Sequence, residues 1–245
     1  MNRCYKTGFT LIELSIVLVV IGLVVGGVLA GKEMIEAAKA RRQVSQMAEY
    51  TQAMYAFRNK YDALPGDLTD TQVSQFGFSS RTESAYNGNG VIDDVNGNSG
   101  FIGWNFESLF FAMDLGAAGL VPFQAAYAYP PSIGQFPSLA SNPAAGMIAS
   151  SLNGVVWMCL CIYDGGHIND TIQPFAGVPV VPVALAFGVD AKMDDGIPGT
   201  GSVRAAKNVV GMPTDDTPPA CVTSSSATAY NIDDGTACRL LVQLK

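Results

Sequence analysis

The sequence predicts an α+β protein in which one long N-terminal helix, with a transmembrane half and an amphipathic half, packs on a small antiparallel-sheet globular head. Three observations support this prediction. An apolar run at residues 9–31 is long enough to cross a bilayer as a helix. An amphipathic helical pattern continues directly from that run. The remainder of the chain is acidic and contains short strand patterns mixed with one or two further helices.

The apolar run contains only three polar side chains, those of Thr10, Glu13 and Ser15. A carboxylate within a membrane-spanning helix costs roughly 2.5–3.5 kcal/mol on insertion scales, so we expect Glu13 to have a functional partner. A cleaved secretory signal is a poor alternative, because its apolar region is about 7–15 residues and ends at a small-residue site. The apolar run also contains glycines at small-xxx-small spacings, which suit close helix packing in lipid: Gly22, Gly26, Gly27 and Gly31. The alternative is that glycine is simply common in membrane helices.

One amphipathic face follows the apolar run. Tyr50, Met54, Phe57 and Tyr61 recur at helical spacing, which predicts a face that packs on the head; a ligand surface is the alternative. The helix is expected to end before Pro65, because the residue that precedes a proline avoids the α conformation. Helix from residue 9 to residue 61 would be about 80 Å long.

The head is strongly acidic. Residues 1–61 hold 8 basic and 4 acidic side chains, whereas residues 62–245 hold 6 basic and 17 acidic ones, a net charge of −11. Such a surface repels phosphate groups, so binding of nucleic acid is not expected. The sequence patterns also predict the elements of the head. A helix is expected near 104–117, followed by an extended loop over 123–149 and a strand over 155–163. A helix over 182–194, with Pro182 in its first position, and a terminal strand over 238–244 complete the predicted head.

The N-terminal sequence KTGFTLIELSIVLVVIGLVVGG resembles type IV prepilins and the pseudopilins of type II secretion systems. The resemblance implies that a prepilin peptidase cleaves between Gly8 and Phe9 and that the new N-terminus, Phe9, is methylated. It implies also that Glu13 pairs with the N-terminal amine of an adjacent subunit during filament assembly. The expected organisation is a leader at 1–8, a transmembrane and filament-core helix at 9–31, an amphipathic extension at 32–64 and a globular head at 65–245.

By this resemblance the chain is a pseudopilin or a minor pilin. Its expected partners are other pilin subunits, the prepilin peptidase, the inner-membrane assembly platform and the membrane. The motif, not the lysine and arginine count, predicts a cytoplasmic leader and a periplasmic head before assembly into a pseudopilus or pilus. A membrane-anchored periplasmic binding module or enzyme with a pilin-like anchor is the alternative. Catalysis is not expected, because no nucleophile signature accompanies the loop that holds Asp164, His167 and Asp170.

The cysteine count suggests disulfide chemistry in the head. Removal of the leader takes Cys4 and leaves four cysteines, an even number in an exported segment. The resemblance implies that Cys221 and Cys238 bond, as in the C-terminal disulfide loop of many pilins. Cys159 and Cys161 share a strand face, where a bond between them would distort the strand, so they are buried thiols or one of them pairs elsewhere.

Two acidic or Asx-rich segments are candidate cation sites. The first segment is a candidate calcium site, because calcium prefers several oxygen ligands from one turn. Its candidate ligands are Asn87, Asn89, Asp93 and Asp94. A run of Asn-Gly turns without a bound ion is the alternative interpretation. A second acidic cluster is interpreted as a solvated helix end: Asp190, Asp194 and Asp195. Zinc is not expected, because His167 is the only histidine.

Overall fold

The computed structural model describes residues 10–78, 87–92, 107–125, 136–143, 145–152, 154–161, 180–205, 221–222, 228–232 and 237–245. The chain divides into two compact units, residues 1–38 and 39–245, and each is described by itself. The helices are α1 (Leu11–Tyr61), α2 (Asp70–Phe76), α3 (Glu107–Ala117) and α4 (Val183–Met193). The strands are β1 (Gly146–Leu152), β2 (Val155–Cys161), β3 (Val181–Pro182), β4 (Val203–Ala205), β5 (Ala237–Cys238) and β6 (Leu240–Gln243).

The first unit is helical from Leu11 onward. Its most apolar 18-residue window has a mean hydropathy of 2.7, and none of that window is buried within the chain. By length and composition, this segment of α1 is able to cross a membrane. The predicted long helix is therefore confirmed.

In the second unit, the remaining part of α1 buries one face against the head. The predicted stripe is confirmed, since Tyr50, Met54, Phe57 and Tyr61 are all buried. The same face also buries polar Gln43, which is fully enclosed. These side chains join those of the sheet in one hydrophobic cluster, so burial of apolar surface holds this part of α1 to the head.

The helix α1 ends at Tyr61, as the sequence predicts. Asp62 has a φ of +54°, a left-handed conformation that stops the helix. An aromatic cluster then closes the end, because the ring of Phe57 lies 4.5 Å from that of Tyr61 and 5.6 Å from that of Phe78. The sequence analysis did not predict α2, which begins at a reciprocal capping box between Thr69 and Gln72.

The head contains a four-stranded antiparallel sheet in the order β1-β2-β6-β4. The β1 and β2 strands form a hairpin in which Gly146 is opposite Cys161 and Leu152 is opposite Val155. The predicted strand at 155–163 begins as expected, at Val155. The predicted loop over 123–149 is wrong at its end, because β1 already begins at Gly146.

Both faces of this sheet are covered by apolar side chains. Met158 and Leu160 of β2 join the cluster that contains the buried face of α1. Trp157, Cys159 and Cys161 alternate with them and join a second cluster, to which α3 contributes Leu109, Phe110 and Met113. The alternation follows from the two-residue side-chain period of a strand. The α3 helix contributes to both clusters, since its Phe111, Ala112 and Leu115 join the cluster of α1. The predicted α+β fold is confirmed.

A second, two-stranded sheet pairs β3 with β5 and leads into α4. Pro182 is the N-cap residue of α4 and not its first helical residue, so the predicted position is wrong by one. Its ring removes one donor from a helix end where the amides have no intrahelical partner anyway. The α4 helix lies close to α1, because a Cβ placed on Gly188 would be 3.3 Å from the Cβ of Ala40.

Candidate functional site

The first turn of α1 holds Glu13 in a reciprocal capping arrangement with Thr10. The carboxylate Oε2 accepts hydrogen bonds from the Thr10 amide at 2.8 Å and from the Thr10 hydroxyl at 2.7 Å. The Glu13 amide donates in return to the Thr10 hydroxyl at 3.4 Å. Three hydrogen bonds within a single chain therefore join Thr10 to Glu13 at the start of the helix.

The sequence analysis missed this arrangement, although Thr-x-x-Glu before an apolar run is its recognised signature. The capping box explains why a helix begins at Leu11. It also gives the Glu13 carboxylate a local partner while no other subunit is present. The cleavage residues Gly8 and Phe9 lie outside the described residues, and their predicted roles stay predictions.

The glycines of the apolar run pack against none of the residues that the structure describes. A Cβ added at any of the four would meet nothing within 4 Å among the described residues: Gly22, Gly26, Gly27 and Gly31. Neighbouring large side chains are open as well, with Leu23 79% and Val28 66% exposed. This surface is therefore open to lipid or to other helices, and no contact in the described part of the chain requires glycine there.

The loop at residues 87–92 is held by Asp67, which is buried. One carboxylate oxygen of Asp67 accepts from the Gly90 amide at 2.6 Å, and the other accepts from the Asn89 amide at 3.0 Å. The side-chain oxygen of Asn89 accepts from the Val91 amide at 2.8 Å, and that of Asn87 accepts from the Asn89 amide at 3.2 Å. These are the local contacts of Asx turns.

The geometry of this loop fits the predicted alternative of consecutive Asn-Gly turns. The side-chain oxygens of Asn87 and Asn89 both accept backbone hydrogen bonds. Asp93 and Asp94, the two carboxylates of the predicted calcium site, lie outside the described residues. Calcium binding at this loop therefore stays a prediction.

The second acidic cluster folds the turn that follows α4. Oxygens of Asp190, Asp194 and Asp195 lie within 4.8 Å of one another. Asp195 accepts from the hydroxyl of Thr200 at 2.6 Å, a bond that lowers its carboxyl pKa, and Asp194 accepts from the amide of Val203 at 3.2 Å. These bonds connect α4 to β4.

The interpretation of this cluster as a solvated helix end is wrong for Asp190, which is completely buried. Its carboxylate accepts from the Tyr230 hydroxyl at 2.7 Å and from the Gly196 amide at 3.2 Å. Burial raises the pKa of the Asp190 carboxyl, and the bond from Tyr230 acts in the opposite direction. Asp190 therefore joins α4 to the C-terminal segment, a role that no sequence spacing indicates.

The structure contains the disulfide between Cys221 and Cys238, whose Cα atoms are 5.2 Å apart. It closes a loop with a sequence separation of 17 residues. Cys159 and Cys161 are free, buried thiols on one face of β2, as one of the predicted alternatives stated. Burial raises the pKa of the Cys159 thiol, which lowers the fraction of reactive thiolate.

Asp164, His167 and Asp170, which the sequence analysis considered for catalysis, lie outside the described residues. Comparison with known families shows that residues 3–29 match the prokaryotic N-terminal methylation motif, the signature of type IV prepilin-like proteins. Comparison with curated proteins and with solved structures finds no match for the chain.

Proposed function

Because residues 3–29 carry the methylation motif of type IV prepilin-like proteins, we propose that this chain is a filament subunit, either a pseudopilin or a minor pilin. Prepilin peptidase cleaves between Gly8 and Phe9, and the mature chain assembles with other pilin subunits. The observation that carries the proposal is the motif itself, which ends within an exposed apolar helix. The role is assembly and not catalysis.

The open surface of α1 supports assembly through this helix. Apolar area alone does not drive helices together in a bilayer, because lipid tails are equally apolar. Close packing by small residues supplies the missing attraction, and the four glycine positions have open space around them. When subunits move from the membrane into a filament, the same apolar side chains would otherwise be exposed to water. Burying them against neighbouring helices is then favourable through the hydrophobic effect.

The arrangement at Glu13 supports an exchange of partners during assembly. In the single chain, the hydroxyl and amide of Thr10 satisfy the Glu13 carboxylate. In the filament, the charged N-terminal amine of a neighbouring Phe9 takes the carboxylate as its partner. An ammonium within about 4 Å offsets more of the cost of a buried carboxylate than neutral donors do.

The size of the head favours a minor subunit within this class. Residues 62–245 form a net-negative segment with a sheet covered on both faces. A bulky head limits how tightly identical subunits pack around a filament axis. A minor subunit, present in few copies, tolerates such a head better than a major subunit does.

Replacement of Glu13 by Ala tests the proposal, with Glu33→Ala as the matched control on the same helix. We expect normal cleavage of Glu13→Ala after Gly8, measured by mass spectrometry, together with at least roughly tenfold less subunit in purified filaments, since the buried charge pair is lost. Glu33→Ala should be cleaved and incorporated as the wild type is. An intact leader on the wild-type chain, or equal incorporation of both variants, would refute the proposal.

A further inference from the structure

The exposed side of α1 within the second unit carries a cluster of three basic side chains, named here the basic collar: Lys39, Arg41 and Arg42. The ion pair of the neighbouring helical segment joins Lys32 to Glu36 and does not involve the collar. Among the residues that the structure describes, no ion pair joins the collar to an acid. No acid within the described ranges therefore occupies these three charges.

The local sequence does not neutralise the collar. Neither Arg41 nor Arg42 has an acidic residue three or four positions away, the spacing at which helical side chains meet. Lys39 has Glu36 three positions before it, but the ion pair of Glu36 is with Lys32. Lys39 and Arg42 are themselves three residues apart, so like charges are neighbours on the helix surface. Such an arrangement is unfavourable in an isolated helix, and an external source of negative charge removes the penalty.

The collar also has room for a partner. The face that α1 buries against the head includes Ala40 and Gln43. Arg41 lies two positions before Gln43, about 200° around the helix, and therefore projects away from that buried face. An approaching acidic surface would not have to displace the head of the same chain from Arg41.

A second copy of this chain carries the complementary charge. Residues 62–245 have a net charge of −11, so every copy combines a basic collar with an acidic head. We propose that the basic collar of one subunit binds the acidic head of another subunit. The inference rests on the proposed function, because the filament brings copies into contact. The pairing would steer association and fix the register of neighbouring subunits.

A membrane surface is the competing partner, because the collar begins eight residues after the apolar run ends at Gly31. The headgroup layer extends roughly 5–7 Å beyond the hydrocarbon core, and charges attract one another over a Debye length of about 8 Å at physiological ionic strength. The experiment below therefore includes retention of the chain by anionic vesicles as an outcome that opposes the proposal.

Cross-linking between two differently tagged full-length copies, co-expressed with the assembly machinery, tests the inference. A carbodiimide joins amines to neighbouring carboxylates without a spacer, and the variant Arg41→Lys/Arg42→Lys supplies additional amines while it keeps the charge. Capture of both tags under denaturing conditions isolates covalently joined copies. We expect cross-linked peptides that connect residues 39–42 to carboxylates of residues 62–245.

The charge-reversed variant Arg41→Glu/Arg42→Glu should reduce the yield of joined copies roughly tenfold, because each exposed ion pair contributes about two- to fivefold to affinity. Arg58→Glu/Lys60→Glu makes the same charge change elsewhere on α1 and should leave the yield near that of the wild type. Equal membrane levels and an intact disulfide establish that both variants fold.

The outcomes separate the two proposals. Absence of filaments and of joined copies with the wild-type chain would refute the proposed function. Filaments with an unchanged yield of joined copies in Arg41→Glu/Arg42→Glu would overturn the collar inference alone. A third outcome would also overturn the collar inference, in favour of a membrane partner. In that outcome no cross-link involves the collar, and vesicles retain the chain only when they contain anionic lipid and the chain keeps Arg41 and Arg42.

Discussion

The hydrogen bond between Tyr230 and Asp190 makes a sharp prediction about the stability of the head. Replacement of Tyr230 by Phe removes the hydroxyl that lies 2.7 Å from the buried Asp190 carboxylate. The ring contact with Phe187, at 5.9 Å between centroids, is retained by phenylalanine. A hydrogen bond to a charged group contributes about 1.5–3 kcal/mol, so we expect a loss of that size in the free energy of unfolding at pH 7.

The loss should depend on pH with a defined sign. Burial raises the pKa of the Asp190 carboxyl above its unfolded value, and the Tyr230 hydroxyl lowers it in part. A carboxyl with a raised folded pKa contributes stability in acid and loses that contribution as the pH rises through the folded pKa. Without the hydroxyl the folded pKa rises further. The penalty for Tyr230→Phe is therefore larger at pH 7 than in acid, where Asp190 is protonated.

Chemical denaturation of the full chain in detergent micelles, at pH 7 and at pH 4, measures both effects. Tyr55→Phe is the matched control, because Tyr55 is 42% exposed and its hydroxyl has no recorded bond among the described residues. The control should change the free energy of unfolding by no more than about 0.5 kcal/mol. An equal loss at both pH values, or a loss no larger than that of the control, would refute the assigned role of the bond.

Two further predictions concern the head. Replacing both Cys221 and Cys238 by Ser should lower the free energy of unfolding by about 3 kcal/mol, from the released loop of the observed length. The wild-type chain should lose a similar amount in reductant, and a variant whose stability matches the oxidised wild type would contradict this. Phe57→Ala should cost roughly 3–5 kcal/mol, because Phe57 is fully buried. A thermal melt within the range of the exposed control Tyr55→Ala would contradict its place in the core.

The functional site divides into a part that sequence reasoning found and a part that it missed. Glu13 was found because a carboxylate in an apolar run is conspicuous. Its bond to Thr10 was readable from the Thr-x-x-Glu spacing and was overlooked. The roles of Asp67 and Asp190 were not readable. Asp67 holds a loop 22 residues away, and the partner of Asp190 is 40 residues away, separations at which no local pattern exists.

The short strands show the same limit for the fold. The strand β4 has only three residues, and its place beside β6 depends on antiparallel pairing in which they lie opposite Leu240, Leu241 and Val242. Three residues carry no measurable alternation, so the sequence analysis did not predict this strand. The start of β1 at Gly146 was missed because its apolar and serine residues are buried on both faces and do not alternate in polarity.

The sequence by itself determined the long helix, its apolar and amphipathic segments, the charge division at residue 61 and the methylation motif. These features depend on residue order over neighbouring turns, where periodicity and composition act locally. The disulfide between Cys221 and Cys238, which the resemblance implied, is present in the structure. Only the tertiary structure decided that the sheet is covered on both faces and that Asp190 is buried against Tyr230. Such contacts join residues that are distant in sequence. They stabilise the fold only after the chain has lost the conformational entropy needed to bring those residues together, so no local pattern indicates them.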